Sequence, residues 1–198
     1  MSTPDITFEV LGGTEAAEHA EELQALHGEV YAAPPYGAGG DAAGFAGRFR
    51  VQRRQLGFVL AEARHGGYLV GYAAGFPLRP STSWWRHLTT ALPDEMTAEP
   101  PGRTFAVVDL LVRASWRRQG IGTALHGLVL AHRPEERATL TVLPSATPAQ
   151  HAFRAWGWRK VARTRDPAPG ARVADVLLTP LPPVTPPPAS PLSPGYQS

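Results

Sequence analysis

The sequence has 198 residues, of which 43% are hydrophobic and 18% charged, a balance that fits one globular domain with a core of its own. It contains no cysteine, which excludes disulfide bonds, thiolate catalysis and cysteine-ligated zinc or iron–sulfur sites. The formal net charge is only +2 and Lys160 is the one lysine among 19 basic residues, so the composition does not indicate a nucleic-acid-binding domain.

The beginning of the sequence, Met-Ser-Thr-Pro-Asp-Ile, has neither the basic segment nor the apolar run of a secretory signal. No apolar stretch reaches the ~20 residues that a membrane helix needs. We therefore expect a cytoplasmic protein that has no membrane partner.

Strands alternate with helices along the first half of the sequence. Apolar residues recur at helical spacing after Thr14, a residue type that caps helices, and Pro34-Pro35 ends the pattern. Residues 77–103 have no regular pattern, and so long a connection is uncommon unless it has a function. The expected elements are a strand over residues 6–11, a helix between Thr14 and Pro34, a second helix over 42–55, and a hairpin of strands 58–63 and 68–76 that turns at Gly66-Gly67.

The second half of the sequence has clearer boundaries. Residues 105–112 are almost all apolar, as expected for a central strand buried on both faces. Thr147, Pro148 and Gln150 are the residue types of a capping box at a helix start, and Gly157 is the type that ends a helix. The expected elements are a strand over residues 105–112, a helix over 120–132, a strand over 139–143, a helix over 147–156, and two antiparallel strands over 158–164 and 173–179.

Residues 180–198 are rich in proline and contain too few apolar side chains to build a core, so we expect a disordered tail. Such a tail either has no partner or presents a PxxP ligand to another protein. The preceding residues, 1–179, are expected to form one domain of the α/β class.

In the segment over residues 110–123, a buried strand, a short basic turn and a glycine-containing helix start follow one another. The first N–H groups of a helix have no partner within it and carry partial positive charge, and glycine lets a ligand approach the backbone. The segment therefore predicts a phosphate or pyrophosphate site, with an arginine-rich turn without a ligand as the alternative. It is not a Walker A loop, and Leu125 stands where the dinucleotide fingerprint needs its third glycine.

This segment resembles motif A of the GCN5-related N-acetyltransferase (GNAT) superfamily, a hydrophobic strand followed by (Q/R)xxGx(G/A) at a helix start. Arg117, Gly120 and Gly122 occupy the motif positions, and the strand, the helix and the glycine-aromatic pair that follow also match. Residues 132–161 look like actinobacterial members of unassigned substrate. The resemblance implies the GNAT fold for the domain: a mixed, mostly antiparallel central sheet with two splayed parallel strands, flanked by helices.

The resemblance implies acetyl-CoA as a co-substrate and no metal ion. The coenzyme would bind where strands 105–112 and 139–143 splay apart. In the family, main-chain groups at the end of the first of these strands bind the pantetheine arm, and the amides of the helix start bind the pyrophosphate. The implied coenzyme-binding residues are Leu110, Leu111, Val112, Arg117, Arg118, Gln119, Gly120, Ile121, Gly122 and Thr123.

The implied reaction is direct transfer of an acetyl group from acetyl-CoA to a primary amine in a ternary complex. The amine must lose a proton, and Asp109 is the candidate base, unless its carboxylate faces outward or pairs with an arginine. Glu62, on a neighbouring strand, is a second candidate. The backbone N–H of Val112 is implied to stabilise the oxyanion of the tetrahedral intermediate.

Two positions depart from the family pattern. Phe153 replaces a tyrosine that in many members protonates the leaving thiolate, and Ala146 replaces an asparagine that often contacts the cofactor. Ser145 or His151 could partly take over, and a thiolate leaves readily enough for water to suffice. The departures motivate a second hypothesis, a catalytically weak or inactive acyl-CoA-binding module. A nucleotide-binding domain, which would bind ATP or NAD in competition with CoA, is a third.

The expected acceptor is the amine of a small molecule, with a protein N-terminus or a lysine as alternatives. By the resemblance, the acceptor pocket lies between the first helices and the connection before the motif A strand. Aromatic and acidic residues there suit a cationic amine, or they only pack against the sheet edge. We expect no nucleic-acid partner and a monomer or homodimer. The aromatic and acidic residues of the expected acceptor pocket are Tyr31, Tyr36, Trp84, Trp85, Asp94 and Glu95.

Overall fold

The computed structural model describes residues 5–37, 42–167 and 171–182. Its strands are β1 Ile6–Leu11, β2 Val59–His65, β3 Tyr68–Pro77, β4 Thr104–Val112, β5 Arg137–Val142, β6 Arg159–Arg165 and β7 Val173–Pro180. Its helices are α1 Ala20–Ala32, α2 Ala42–Gln52, α3 Asp94–Thr97, α4 Ile121–Leu130 and α5 Thr147–Ala155. The predicted proline-rich tail lies outside the described residues from residue 183 onward.

Within the described residues, the strands form one seven-stranded sheet in the order β1-β2-β3-β4-β5-β7-β6. Neighbouring strands are antiparallel, except that β4 and β5 run parallel. The predicted hairpin of β2 and β3 is confirmed, and Gly66 and Gly67 in its turn both take positive φ angles. The predicted antiparallel pairing of β6 with β7 is confirmed too.

Helices bury both faces of this sheet. On one face, α4 and α5 contribute Leu125, Val129 and Phe153 to a hydrophobic core. On the other face, α1 and α2 contribute Leu23 and Phe45 to a second core. Because β4 lies between the two cores, it needs the nearly continuous apolar sequence that it has. The predicted α/β class, with a mixed and mostly antiparallel sheet flanked by helices, is confirmed.

The predicted helix start at Thr14 is wrong. Thr14 precedes a single 3-10 turn over Glu15–Ala17 and its side chain makes no capping hydrogen bond, and α1 begins only at Ala20. The Glu15 carboxylate accepts a hydrogen bond from the Gly12 N–H at 2.8 Å, so a side chain within the turn bonds to the chain ahead of it.

The capping box predicted at Thr147 is wrong, whereas the helix end predicted at Gly157 is confirmed. Thr147 is the first residue of α5 and Ala146 occupies the N-cap position. The Gln150 side chain does not make the capping-box bond; its amide nitrogen donates to the Leu143 carbonyl ahead of α5 at 3.3 Å and to Asp175 Oδ2 on β7 at 3.1 Å. Gly157 takes a φ angle of +88°, the left-handed conformation that commonly follows a helix.

The long connection over residues 77–103 is not irregular throughout. It first runs beside the edge strand β6, where Leu88 bridges to Thr164 and the Thr89 N–H donates to the Arg163 carbonyl at 2.8 Å. It then forms the short helix α3 before β4 begins. The connection thus covers a sheet edge that would otherwise present unpaired main-chain groups.

The parallel strands β4 and β5 pair only at their beginnings. Residues 104–106 of β4 align with residues 137–139 of β5, and the pairing stops there, although β4 continues to Val112 and β5 to Val142. The strands therefore diverge over their second halves. Their facing edges leave main-chain N–H and C=O groups beside a gap.

A β-bulge in β4 decides which face of the sheet Asp109 occupies. On β3, Ala74 pairs with Asp109 and Gly75 pairs with Val107, so Val108 is an extra residue in β4. Because side chains alternate along a strand, one extra residue moves every later side chain to the other face. Asp109 therefore shares the face of Ala74, towards α1 and α2, instead of the face of Val107, towards α4 and α5.

We predict that Gly75→Ala lowers the free energy of unfolding by about 2–3 kcal/mol, because the new Cβ would lie 2.4 Å from the Phe105 ring and 2.5 Å from the Ala106 carbonyl oxygen. The matched control, Gly127→Ala in α4, has open space around its Cβ and should raise that free energy by about 0.5–1 kcal/mol. Urea denaturation measures both changes. Equal stability of the two variants would contradict the close packing at Gly75.

Candidate active site

A cavity of about 550 Å³ lies in the gap between β4 and β5. Its wall comes from α1 and the turn after it, β4, β5, α5 and the β6–β7 hairpin. This volume is typical of sites that bind cofactors and small molecules. The residues that β4 contributes to the wall are Val107, Val108, Asp109, Leu110, Leu111 and Val112.

The main chain of Val112 faces this gap. The N–H of the next residue, Arg113, donates to the Val70 carbonyl of β3 at 2.9 Å, and successive main-chain groups of a strand point to opposite edges. The Val112 groups therefore point away from β3, and the Val112 carbonyl accepts a hydrogen bond from Arg117 Nε at 3.0 Å. At this point the wall combines a main-chain N–H donor with a guanidinium.

Helix α4 begins beside the cavity. Gly120 takes a φ angle of +82° ahead of the helix, and the first hydrogen bond within the helix runs from the Ala124 N–H to the Gly120 carbonyl. The N–H groups of Ile121, Gly122 and Thr123 precede this bond and have no partner within the helix. Gly122 lines the cavity, and its missing side chain leaves the helix start accessible. This end of the site suits an anion.

The predicted coenzyme-binding residues fall into two groups. Those in the cavity wall are Leu110, Leu111, Val112, Arg117 and Gly122. The other five lie on the adjoining turn and helix start. Four of these are exposed: Arg118, Gln119, Gly120 and Thr123. The remaining one, Ile121, has a side chain that is buried in the core. The structure thus brings a strand end and a basic turn together at one cavity.

Asp109 lines the cavity from β4. Burial raises the pKa of its carboxyl from 3.8 to about 7, and the Arg48 guanidinium and the Tyr72 hydroxyl oppose part of that rise. The buried Tyr72 hydroxyl lies beside this carboxyl, but it has no hydrogen-bond partner of ordinary geometry among the described residues. A carboxyl with this pKa exchanges protons near neutral pH, as a general acid or base does.

Tyr31 of α1 and Tyr36 of the turn after it form an aromatic part of the wall. Their ring centroids are 4.6 Å apart, and Tyr31 also stacks on His27 at 4.3 Å. Burial raises the pKa of both phenols above the ordinary value, so both keep their protons at neutral pH. The Asp109 carboxylate raises the pKa of Tyr31 further, whereas the Arg117 guanidinium lowers that of Tyr36.

Phe153 and Ala146, the two departures from the family pattern, are both buried in the cavity wall. The Phe153 ring packs edge-to-face on Trp156 with a centroid separation of 5.7 Å, so it belongs to an aromatic cluster. The suggested substitutes lie elsewhere: His151 lines a separate depression over β7, and Ser145 is exposed.

The structure places Glu62, the second candidate base, outside the cavity. Its fully buried carboxylate lies 2.9 Å from His19 Nδ1 and accepts a hydrogen bond from Arg64 Nε at 2.9 Å. Arg64 also donates to the carboxylate of Glu22 at 2.7 Å. Glu62 therefore forms a buried ion pair away from the cavity, whereas Asp109 lies in the cavity wall.

The tryptophans predicted for the acceptor pocket lie at the other end of β4. Trp85 Nε1 donates to Glu99 Oε1 at 2.9 Å, and the Arg137 guanidinium lies 5.5 Å from the centre of the Trp85 ring. Arg137 aligns with Thr104, the first residue of β4, whereas the cavity lies beside its last residues. Packing against the sheet is therefore the correct interpretation of Trp85. The other residues of this connection that lie outside the cavity are Trp84, Asp94 and Glu95.

The β6–β7 hairpin provides a part of the cavity wall that the sequence motifs do not predict. Arg172 Nη1 donates to the Pro35 carbonyl at 2.9 Å, and Asp166 and Ala174 of the hairpin also line the cavity. Arg172 and Pro35 are 137 positions apart, so no local pattern in the sequence could have indicated this contact.

Among the described residues, the charged and phenolic side chains of the cavity wall are Tyr31, Tyr36, Asp109, Arg117, Asp166 and Arg172. No group of three or more His, Asp or Glu side chains in residues 5–37, 42–167 and 171–182 is arranged to hold a metal ion. In that same part of the chain, no helix has the length and apolar character to cross a membrane.

A sequence model of the acetyltransferase (GNAT) family matches residues 15–158, and no curated protein matches the chain. The ribosomal-protein-S18-alanine N-acetyltransferase from Escherichia coli is similar in structure, with a TM-score of 0.59 at 15% identity over 89% of this chain and 94% of that chain. A GNAT-family acetyltransferase from Streptococcus pneumoniae reaches 0.61 at 11% identity over 89% and 99%. Arabidopsis thaliana NAA60, in complex with a bisubstrate analogue, reaches 0.61 at 16% identity over 89% and 98%. These similarities confirm the predicted GNAT fold.

We predict that Glu62→Gln lowers the free energy of unfolding by about 3 kcal/mol, because it leaves the buried end of Arg64 without its charge partner. Glu22→Gln removes the exposed partner of the same arginine and should cost less than about 1 kcal/mol. Denaturant unfolding of the two variants measures the difference. A larger loss in the Glu22 variant would contradict the structural role of Glu62.

Proposed function

The chain belongs to the acetyltransferase (GNAT) family, and we propose that it transfers an acetyl group from acetyl-CoA to the primary amine of a small molecule. Membership makes it an acyl-CoA-dependent N-acetyltransferase; the donor, the acceptor and the roles of the residues are the proposal. The main observation that supports this proposal is one cavity, which extends from the start of α4 to the Asp109 carboxyl along the gap between β4 and β5. Both substrates meet in this gap, so the transfer is direct.

The coenzyme end of the cavity fits acetyl-CoA. The N–H groups at the start of α4, together with Arg117 and Arg118, suit the pyrophosphate. The main-chain groups at the end of β4 suit the amides of the pantetheine arm, because a ligand can pair polar groups that the sheet leaves unpaired. The residues proposed to supply these contacts are Leu110, Leu111, Val112, Arg117, Arg118, Gln119, Gly120, Ile121, Gly122 and Thr123.

Asp109 is proposed as the general base. An alkylammonium must lose a proton before its nitrogen can attack, and a carboxyl with a pKa of about 7 accepts that proton better than an ordinary aspartate does. The Val112 N–H is proposed to stabilise the negative charge that develops on the thioester oxygen. Tyr31 and Tyr36 offer aromatic faces to the cationic amine.

The contact of Arg172 with the Pro35 carbonyl supports a small acceptor, because it links two parts of the wall on the side that Tyr31 and Tyr36 line. A protein acceptor is the alternative, since the similar Escherichia coli protein is named as acting on an alanine of ribosomal protein S18. An assay with acetyl-CoA, a panel of small amines, lysine peptides and peptides with free N-termini tests the class. Transfer to peptides alone would contradict the small-molecule proposal.

A catalytically weak or inactive acyl-CoA-binding module is the second candidate, and it is favoured by Phe153 and Ala146 in the cavity wall. Such a module would bind acetyl-CoA in calorimetry and acetylate no amine of the panel. Displacement of CoA by ATP or NAD would instead indicate the nucleotide-binding alternative.

Three finer expectations stay predictions: a cytoplasmic location, a monomeric or homodimeric state, and the likeness of residues 132–161 to actinobacterial members of unassigned substrate. Cell fractionation tests the first of them. Sedimentation of the purified chain tests the second.

We predict that Gly122→Asp raises the dissociation constant of acetyl-CoA at least about tenfold, because the new carboxylate would repel phosphates at the helix start. An acidic residue in the first turn of a helix is itself favourable, so the variant should fold. The matched control, Gly127→Asp further along α4, has open surroundings and should bind within about twofold of wild type. Calorimetric titration measures both, and equal affinities would exclude this coenzyme site.

We predict that kcat/KM rises with pH through about 7, because Asp109 accepts a proton only when ionised and burial raises its pKa to that value. Asp109→Asn should lower kcat about 100-fold and remove this inflection. Asp94→Asn, which changes an exposed carboxyl outside the cavity, is the control and should keep the wild-type profile. An Asp109→Asn enzyme with the wild-type pH profile would remove Asp109 from proton transfer.

A further inference from the structure

Phe153 lacks the hydroxyl that the family pattern places beside the leaving sulfur, and its ring is held in an aromatic cluster. A departing thiolate takes a proton either from water or from a group that touches it. Among the described residues, the cavity wall contains two phenols that could supply it, Tyr31 and Tyr36.

Tyr36 occupies the gap itself. Among the described residues, it alone packs as a partly buried side chain against both hydrophobic cores, the one under α4 and α5 and the one under α1 and α2. The sheet separates these cores, so a side chain that contacts both must reach the place where β4 and β5 diverge. That place is also where the strand ends would hold the thioester. The hydrogen bond from Arg172 to Pro35 fixes the turn from which Tyr36 projects.

Electrostatics favour Tyr36 over Tyr31 as a proton donor. A phenol that gives up its proton becomes negatively charged. A neighbouring positive charge lowers the free energy of that phenolate, and a neighbouring negative charge raises it. Burial raises the pKa of both phenols. The Asp109 carboxylate raises the pKa of Tyr31 further, by more than the Arg48 guanidinium lowers it, so a second negative charge there is unfavourable. The Arg117 guanidinium instead offsets part of the rise at Tyr36, so the phenolate of Tyr36 is the less unfavourable of the two.

We propose that the Tyr36 hydroxyl donates the proton that the sulfur of CoA takes as it leaves, a role that rests on the proposed acetyl transfer. The amine nitrogen forms a bond to the acetyl carbon, the carbon–sulfur bond breaks, and its electron pair goes to sulfur. Asp109 first takes one proton from the ammonium and passes it to water, which leaves a neutral amine that can attack. As the carbon–sulfur bond breaks, the nitrogen gives its second proton to Asp109 and Tyr36 gives one to the sulfur. Asp109 then loses this proton to water and Tyr36 regains one from water, so the products are the amide, the CoA thiol and one proton released to water.

The test is Tyr36→Phe, which keeps the ring and removes only the hydroxyl. With the best acceptor of the panel, kcat should fall about 10- to 100-fold, while the dissociation constant of acetyl-CoA and the Tm stay at their wild-type values. Tyr68→Phe, which changes an exposed tyrosine outside the cavity, is the matched control and should keep its kcat. The double variant Tyr36→Phe/Phe153→Tyr returns a hydroxyl to the cavity wall and should regain most of the lost rate.

A Tyr36→Phe enzyme with full kcat overturns this proposal. An equal loss of kcat and of acetyl-CoA affinity also overturns it, because the hydroxyl would then serve binding. Failure of the proposed function is distinguishable from both, since a wild-type protein that acetylates no amine is recognised before any variant is measured.

Discussion

The divergence of β4 from β5 after three shared residue pairs is the constraint on which the whole site depends. Each strand is paired along its other edge, β4 with β3 and β5 with β7, so the sheet holds together while the two facing edges lack sheet partners. Unpaired main-chain groups are costly when they are removed from water, and a ligand that bonds to them offsets that cost. The gap between β4 and β5 thus presents main-chain groups to which a ligand can bond.

The cavity in this gap has two chemically different ends. At one end, the start of α4 and Arg117 provide positive charge, which suits a phosphate group. At the other end lie the partly buried carboxyl of Asp109 and the phenols of Tyr31 and Tyr36. The bulge at Val108 connects the two, because it turns Asp109 towards α1 while the main chain of β4 continues along the gap. Both ends of the cavity therefore depend on the course of one strand, β4.

Features encoded by neighbouring residues were predicted well. The strand over residues 6–11 was predicted from its local composition, and the Gly66-Gly67 hairpin and the helix end at Gly157 depend on positive φ angles, which a few residues determine. The N-caps at Thr14 and Thr147 were wrong: Thr14 precedes only a 3-10 turn, Thr147 lies inside α5, and neither helix start has a side-chain cap. Glu62 and Trp85 resembled site residues in sequence, but each has a distant partner in the fold.

The sequence by itself determined the alternation of strands and helices, the central apolar strand and the glycine-bearing helix start, because each depends on residues close together in the chain. Only the tertiary structure decided that Asp109 faces α1, that Arg172 meets Pro35, and that the Tyr36 ring reaches the gap between the strands. These features depend on the register between strands and on contacts between residues far apart in sequence. Their physical cause is the packing of the sheet between two layers of helices, which no local pattern records.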